Sequence, residues 1–254
     1  MKLEGRTVLI TGGTSGIGLE LARQLIARRN TVIVTGRDQR KLQAAKSSLP
    51  SIHAVQSDAS NPEEINALLQ QVTAEFPACN TLVNNAGMMR NLDLNERRSL
   101  KDVTRELDLG LSGPVQMVQA FLPHLKSRPN ALIVNVSSGL AFVPFPLSPV
   151  YSATKAGIHA FTRCLRVQLK GSNVTVVELA PPGVETKLFR GEFEQEMKGQ
   201  KAMPVDVLVA KAIAGIQAGK TEIRPGLSNV LYFMSRLAPS LPFGQMAKMV
   251  RTAR

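Results

Sequence analysis

The chain has 254 residues, 44% hydrophobic and 20% charged, which suits a globular protein with a sizeable core. Its net charge of +12 would admit nucleic acid, an anionic membrane surface or an anionic ligand, but the cations are spread and no run of five occurs. With no nucleic-acid motif, no apolar run long enough to span a membrane and no signal-peptide pattern, the sequence reads as a cytoplasmic protein with a basic, solvated exterior. The two cysteines, Cys79 and Cys164, read as free thiols.

Residues 6–11 form a short β-branched run, expected to be a buried strand. Gly12-Gly13-Thr14-Ser15-Gly16-Ile17-Gly18 follows, then an amphipathic helix over 19–29. Strand, glycine-rich turn and helix is the context of a phosphate-binding loop, because glycines permit close backbone approach and the helix N-terminus faces the anion. A purely structural βα turn is the alternative. A second strand (31–35) ends at Gly36-Arg37, the place where a dinucleotide's adenosine ribose falls; an Arg there suits a 2′-phosphate. A solvated loop cation is the plainer reading of Arg37. Asp38 is expected to cap a helix over 39–49.

A third strand (52–56) leads to Asp58, and Asn61-Pro62-Glu63-Glu64 starts the next helix. The fourth strand (81–83) runs into Asn84-Asn85-Ala86-Gly87. One long helix is expected over 100–126, interrupted by Gly110 and Gly113-Pro114. The fifth strand (131–136) ends at Ser137-Ser138, and a helix is expected over 151–170. A sixth strand (174–179) ends at Ala180-Pro181-Pro182-Gly183. Residues 184–203 read as a mobile substrate lid, 204–218 as a helix, 222–223 as a last strand and 226–254 as a C-terminal extension. No linker interrupts residues 1–254, so a single domain is expected.

The alternation of strands and helices predicts an α/β, Rossmann-type doubly wound fold: a seven-stranded parallel sheet with helices on both faces. Ligands bind such sheets at the carboxyl ends of the strands, where the glycine, amide and hydroxyl clusters above all fall. On a helix Tyr151 and Lys155 share one face. An ammonium ~4 Å from the phenol is worth ~4 kcal/mol at an effective dielectric of ~20, which would bring the phenol near neutrality.

With these motifs in this order, the chain resembles the short-chain dehydrogenase/reductase family over residues from about 5 to 225. Thr11 to Gly18 resembles its T-G-x-x-x-G-x-G loop, Asn84-Asn85-Ala86-Gly87 its N-N-A-G motif and Tyr151 with Lys155 its Y-x-x-x-K. Ser138 stands at the family's usual spacing before Tyr151. More loosely, residues 179–186 and 223–227 resemble a bacterial branch named for D-alanine esterification of lipoteichoic acid. The resemblance implies an NADP(H)-dependent oxidoreductase acting on a small-molecule carbonyl or alcohol. Tyr151 would be the general acid/base, Ser138 would hold the substrate oxygen, and Lys155 would tune the phenol and bind the nicotinamide ribose. Gly12, Thr14, Ser15, Gly16, Ile17, Gly18, Arg37, Asp58, Asn85, Ala86, Gly87, Pro181, Gly183, Val184 and Thr186 would complete the cofactor site. A homodimer or homotetramer would be built on the helices of about 100–126 and 151–170.

Two positions depart from the pattern. Gly110 stands where the family carries a proton-relay Asn, and Pro182 stands in the Pro-Gly after the sixth strand. Gly110 supports an alternative reading, a weakly active or inactive NADP(H)-binding sensor or scaffold. A third reading, a membrane-peripheral or nucleic-acid-associated basic protein, rests on the charge and the basic tail. Substrate choice falls to residues 88–98, 139–150 and 184–203, with Met88, Met89, Phe142 and Phe145 as candidate pocket residues. His53, His124 and His159 lack metal-ligand spacing, so no metal is expected.

Overall fold

A computed structural model describes residues 1–194, 196 and 199–252. Seven strands form one sheet: β1 (Thr7–Ile10), β2 (Thr31–Gly36), β3 (Ile52–Gln56), β4 (Cys79–Asn84), β5 (Ala131–Val136), β6 (Val174–Leu179) and β7 (Glu222–Ile223). Their order is β3-β2-β1-β4-β5-β6-β7, and every pairing is parallel. The first helices are α1 (Gly16–Ile26), α2 (Gln39–Ser48), α3 (Pro62–Glu75), α4 (Leu100–Leu107) and α5 (Gly113–Lys126). After them come α6 (Pro149–Gln168), α7 (Lys187–Arg190), α8 (Val205–Gln217), α9 (Leu227–Leu237) and α10 (Ser240–Thr252).

The sheet is buried on both faces because its strands are apolar at successive positions. Val8 and Ile10 face a layer made by α1, α2 and α8, whereas Leu9 faces α3, α5 and α6. The helix starts follow local chemistry. The Asp38 side chain accepts from the backbone N–H groups of Arg40 and Lys41, and Asn61 does the same for Glu63 and Glu64. The chain reverses its winding direction between β1 and β4, and the cleft opens at the carboxyl edge beside that point.

One expectation needs correction, and two gain detail. The helix expected over 100–126 is α4 and α5 joined by a π-helical turn, Asp108–Ser112. The helical path therefore continues through Gly110 with one extra residue in the turn, a device that locally widens a helix.

The expected lid, 184–203, is tied down at its base: Glu185 N–H donates to Met203 O at 2.9 Å, and Met203 N–H donates to Gly183 O at 2.8 Å. Phe193 within it is fully buried against Phe145. Residues 195, 197 and 198 of that segment lie outside the described residues.

The C-terminal extension is two helices. Pro239 disfavours helical geometry at Ala238 and so ends α9, while Pro242 sits in the first turn of α10, where a proline costs no hydrogen bond.

Candidate active site

The glycine loop is built by local strain and close contact. Gly12 and Gly16 have φ of +65° and +53°, a region that side-chain-bearing residues rarely occupy. A Cβ on Gly12 would fall 2.8 Å from Ala86 Cα, so the loop rests directly on the Asn84–Gly87 motif. Two side chains lock this contact. Thr11 Oγ1 accepts from the N–H groups of Asn85 and Ala86, each at 3.1 Å. The Asn85 amide donates to Thr11 O and Gly12 O, each at 3.0 Å. The Asn85 side chain is thus spent on bracing the loop. Gly18, the one proposed site residue that does not line the cleft, lies beneath it: a Cβ there would fall 2.5 Å from Gly12 O. Ser15 precedes α1 without a side-chain cap, so the first-turn N–H groups of α1 face the cleft.

At one end of the cleft Arg37 projects from the tip of β2. Its guanidinium is half exposed, with Nη1 3.9 Å from Asp58 Oδ2. That is a loose pair, and the cation remains available to an anion. Asp58 Oδ1 is turned inward by the Ser60 N–H (2.9 Å) and Ser60 hydroxyl (2.6 Å).

At the other end, β5, α6 and the loop after β4 bring Ser138, Tyr151 and Lys155 together. The Ser138 hydroxyl lines the cleft with Tyr151 and caps the short turn that follows, accepting from Leu140 N–H at 3.1 Å. One helical turn on, Lys155 Nζ lies 5.4 Å from the Tyr151 ring centre and donates to Val136 O at 2.8 Å. Both groups are buried. Burial pushes the Tyr151 phenol up to about 12, a shift eased by Ser138 and reinforced by the Glu106 carboxyl. Burial also pulls the Lys155 ammonium down to about 8. In this arrangement burial sets the direction of the phenol's shift, opposite to the one expected from the Lys155 ammonium alone.

Pro181, Pro182, Gly183, Val184 and Thr186 line the wall opposite Ala86 and Gly87, in a cleft of about 1560 Å³. Its far end is apolar, with Met88, Met89, Leu140 and Phe145 joined by Leu231, Met246 and Met249. Phe142, expected there, lies elsewhere: its ring packs edge-on against His159 and Tyr232. His159 is held by Glu178, 2.8 Å from its Nδ1.

Sequence reading missed three groups. Glu106 is buried and accepts from Arg90 N–H at 3.0 Å, with the Arg90 guanidinium 3.6 Å away. A Glu on a predicted helix gave no sign of burial. Thr154 fills the space beside Gly110, where a Cβ would fall 2.6 Å from its Cγ2. The α9–α10 wall had only a weak helical period as its signal.

This constellation on a parallel sheet belongs to a known class. The family model "short chain dehydrogenase" matches residues 6–197, and the chain belongs to that family of oxidoreductases. It is 41% identical over 224 residues to an uncharacterized oxidoreductase, DltE, of Bacillus subtilis, covering 88% of this chain and 89% of that one. It is 34% identical over 175 residues to the NADP-dependent 3-hydroxy acid dehydrogenase YdfG of Escherichia coli K12, covering 68% and 71%. In fold it is similar to a short chain dehydrogenase from Burkholderia cenocepacia in complex with NADP, with a TM-score of 0.83, 23% identity and coverage of 97% and 99%.

Proposed function

We propose that this protein is an NADP(H)-dependent oxidoreductase that interconverts a small carbonyl compound and its alcohol, with Tyr151 as the proton donor and acceptor. The observation that carries the reading is the convergence of Ser138, Tyr151 and Lys155, the last two one helical turn apart, in the same cleft that runs along the glycine loop to Arg37. The cleft fits a dinucleotide: positive-φ glycines leave room that a Cβ would fill, and the uncapped start of α1 offers N–H donors to a pyrophosphate. When bound, a nicotinamide nucleotide supplies or accepts the hydride.

The chain's own residues do the rest. Gly12, Thr14, Ser15, Gly16 and Ile17 hold the phosphates, over the support of Gly18. Asp58, Ala86, Gly87 and the backbone of Asn85 bound the adenosine half, and Arg37 takes the 2′-phosphate. Lys155 binds the nicotinamide ribose, and Pro181, Gly183, Val184 and Thr186 hold the carboxamide. Ser138 holds the substrate oxygen by a hydrogen bond. Tyr151 gives that oxygen a proton in reduction and takes it back in oxidation. Residues 184–203 act as the lid over a substrate with an apolar portion, as the methionine- and phenylalanine-rich end of the cleft favours.

One observation favours a second reading, a nucleotide-binding sensor with little turnover: Thr154 occupies the room that an Asn at position 110 would need. A panel of ketones and aldehydes with NADPH and NADH separates the two. Tyr151→Phe should abolish turnover and leave NADPH affinity nearly unchanged. Retained turnover would assign the proton to another group, and a wild type inert to the whole panel would favour the sensor. Arg37→Ala should weaken NADPH about ten- to a hundredfold and leave NADH alone, as measured by titrating both. Equal wild-type affinities would remove the 2′-phosphate assignment.

A further inference from the structure

We propose that the outer face of α9 and α10 docks on an anionic lipid bilayer. Of the twelve large hydrophobic side chains exposed among the described residues, six lie between Leu227 and Phe243. Leu227, Val230, Phe233 and Leu237 recur at three- and four-residue intervals along α9, and Leu241 continues the spacing onto α10. The four positions on α9 form one stripe on the side opposite its buried Ser228 and Leu231, and Leu241 is exposed at the start of α10. The inward side is also apolar: Leu231 is buried and packs near Gly139 at the cleft wall. A helix apolar on both sides belongs between two apolar media. The protein supplies one of them, and among the described residues none covers Leu237, which is 84% exposed.

Charge names the other medium. From Gly226 to Arg254 the sequence carries four Lys or Arg and no Asp or Glu, within a chain of net charge +12. Arg236 lies beside the stripe, its guanidinium stacked 3.8 Å from the Tyr232 ring; Arg224, stacked on the same ring at 3.7 Å, is already paired with Glu222. Leucines and phenylalanines flanked by cations, without acids, have the composition of an interfacial helix on anionic lipid. A second copy of the chain fits less well. A two-fold contact sets each patch against itself, and a segment whose sequence holds cations and no acid offers its own copy no opposite charge. The stripe reaches the mouth of the cleft at Leu227, which is both exposed and part of the cleft lining. A docked molecule would thus take apolar carbonyl compounds from the bilayer. That consequence rests on the oxidoreductase reading; the docking itself does not.

Sedimentation of the full chain with vesicles tests the proposal. Binding is expected to phosphatidylcholine vesicles containing phosphatidylglycerol, to weaken with added salt, and to be slight with phosphatidylcholine alone. Leu237→Glu and Leu241→Glu should each lower the partition coefficient about tenfold or more, with NADPH affinity and melting temperature unchanged. Arg236→Gln, which leaves the stripe intact, should weaken only the anionic-vesicle binding, by about fivefold. The proposal fails if the parent does not sediment with anionic vesicles, or if all three variants bind like it. It fails equally if light scattering without lipid shows that Leu237→Glu dissociates an oligomer while vesicle binding persists, since a second copy then covers the face.

Discussion

At the scale of the residue, Tyr151 and Lys155 are set by burial. The folded Lys155 ammonium titrates at about 8, below its ordinary 10.5. Folding therefore opposes its protonation, and the charge costs stability at neutral pH. The cost fades as pH rises from about 8 towards 10.5, where the unfolded chain also loses the proton. Lys155→Met should accordingly melt higher near neutrality, by on the order of 1–3 kcal/mol, with the gain shrinking in alkali. The same variant should bind NADPH poorly. A lower melting temperature would mean that the bond to Val136 O outweighs the cost of burial.

Tyr151 shifts the other way, up to about 12. The phenol stays protonated through the neutral range, which equips it to donate a proton during carbonyl reduction. Initial rates in both directions across pH should show reduction holding near neutrality and alcohol oxidation climbing steadily in alkali. Oxidation fastest at neutral pH would show that the bound cofactor or a neighbour pulls the phenol far down.

At the scale of the element, α6 and the π-helical turn before α5 are fitted to one another. A Cβ on Gly110 would meet Thr154 Cγ2 at 2.6 Å, and one on Gly157 would meet Leu111 Cδ2 at 2.8 Å. Restoring an Asn at position 110 alone therefore overpacks the contact, at a cost of about 1–3 kcal/mol. Gly110→Asn by itself should lower the melting temperature without raising turnover. With Thr154→Ala the space reopens; the Thr154 hydroxyl donates only within its own helix, to Val150 O. The double variant should exceed both single variants in turnover, by up to roughly 10²-fold over wild type, the low end of general acid–base contributions. The coupling should appear in a double-mutant cycle. Additive effects would show that proton exchange does not pass through this contact.

For the whole molecule, assembly and the C-terminal helices are the open surfaces. The family resemblance places an oligomer interface on the helices of about 100–126 and 151–170. Leu100 and Val167 are strongly exposed there, at 86% and 74%. Light scattering at micromolar concentration should give a dimer or tetramer, and Val167→Glu should shift it to a smaller species. A wild-type monomer would remove the assignment. The C-terminal helices α9 and α10 both wall the cleft and present exposed apolar side chains, so shortening the chain at Gly226 should expose the cleft as well as remove the stripe.

The sequence by itself determined the sheet, its helices and the order of the motifs along its carboxyl edge. Those signals are short-range: β-branched runs, caps such as Asp38 and Asn61, and glycines that only a tight turn requires. It also brought Tyr151 and Lys155 to one helical face, since an i,i+4 spacing needs no tertiary information. It did not reveal the direction of that pair's shifts, because these depend on how deeply tertiary packing buries α6 and on the Glu106 charge that α4 brings near. The partnership of Gly110 with Thr154 was hidden for the same reason: the residues lie on different helices, and each is unremarkable alone. The tail read as an extension because its apolar residues serve two faces at once, which blurs the helical period. Only the tertiary structure divided them between a cleft wall and an outward stripe, since that division is set by which side meets the sheet and which is left to the surroundings.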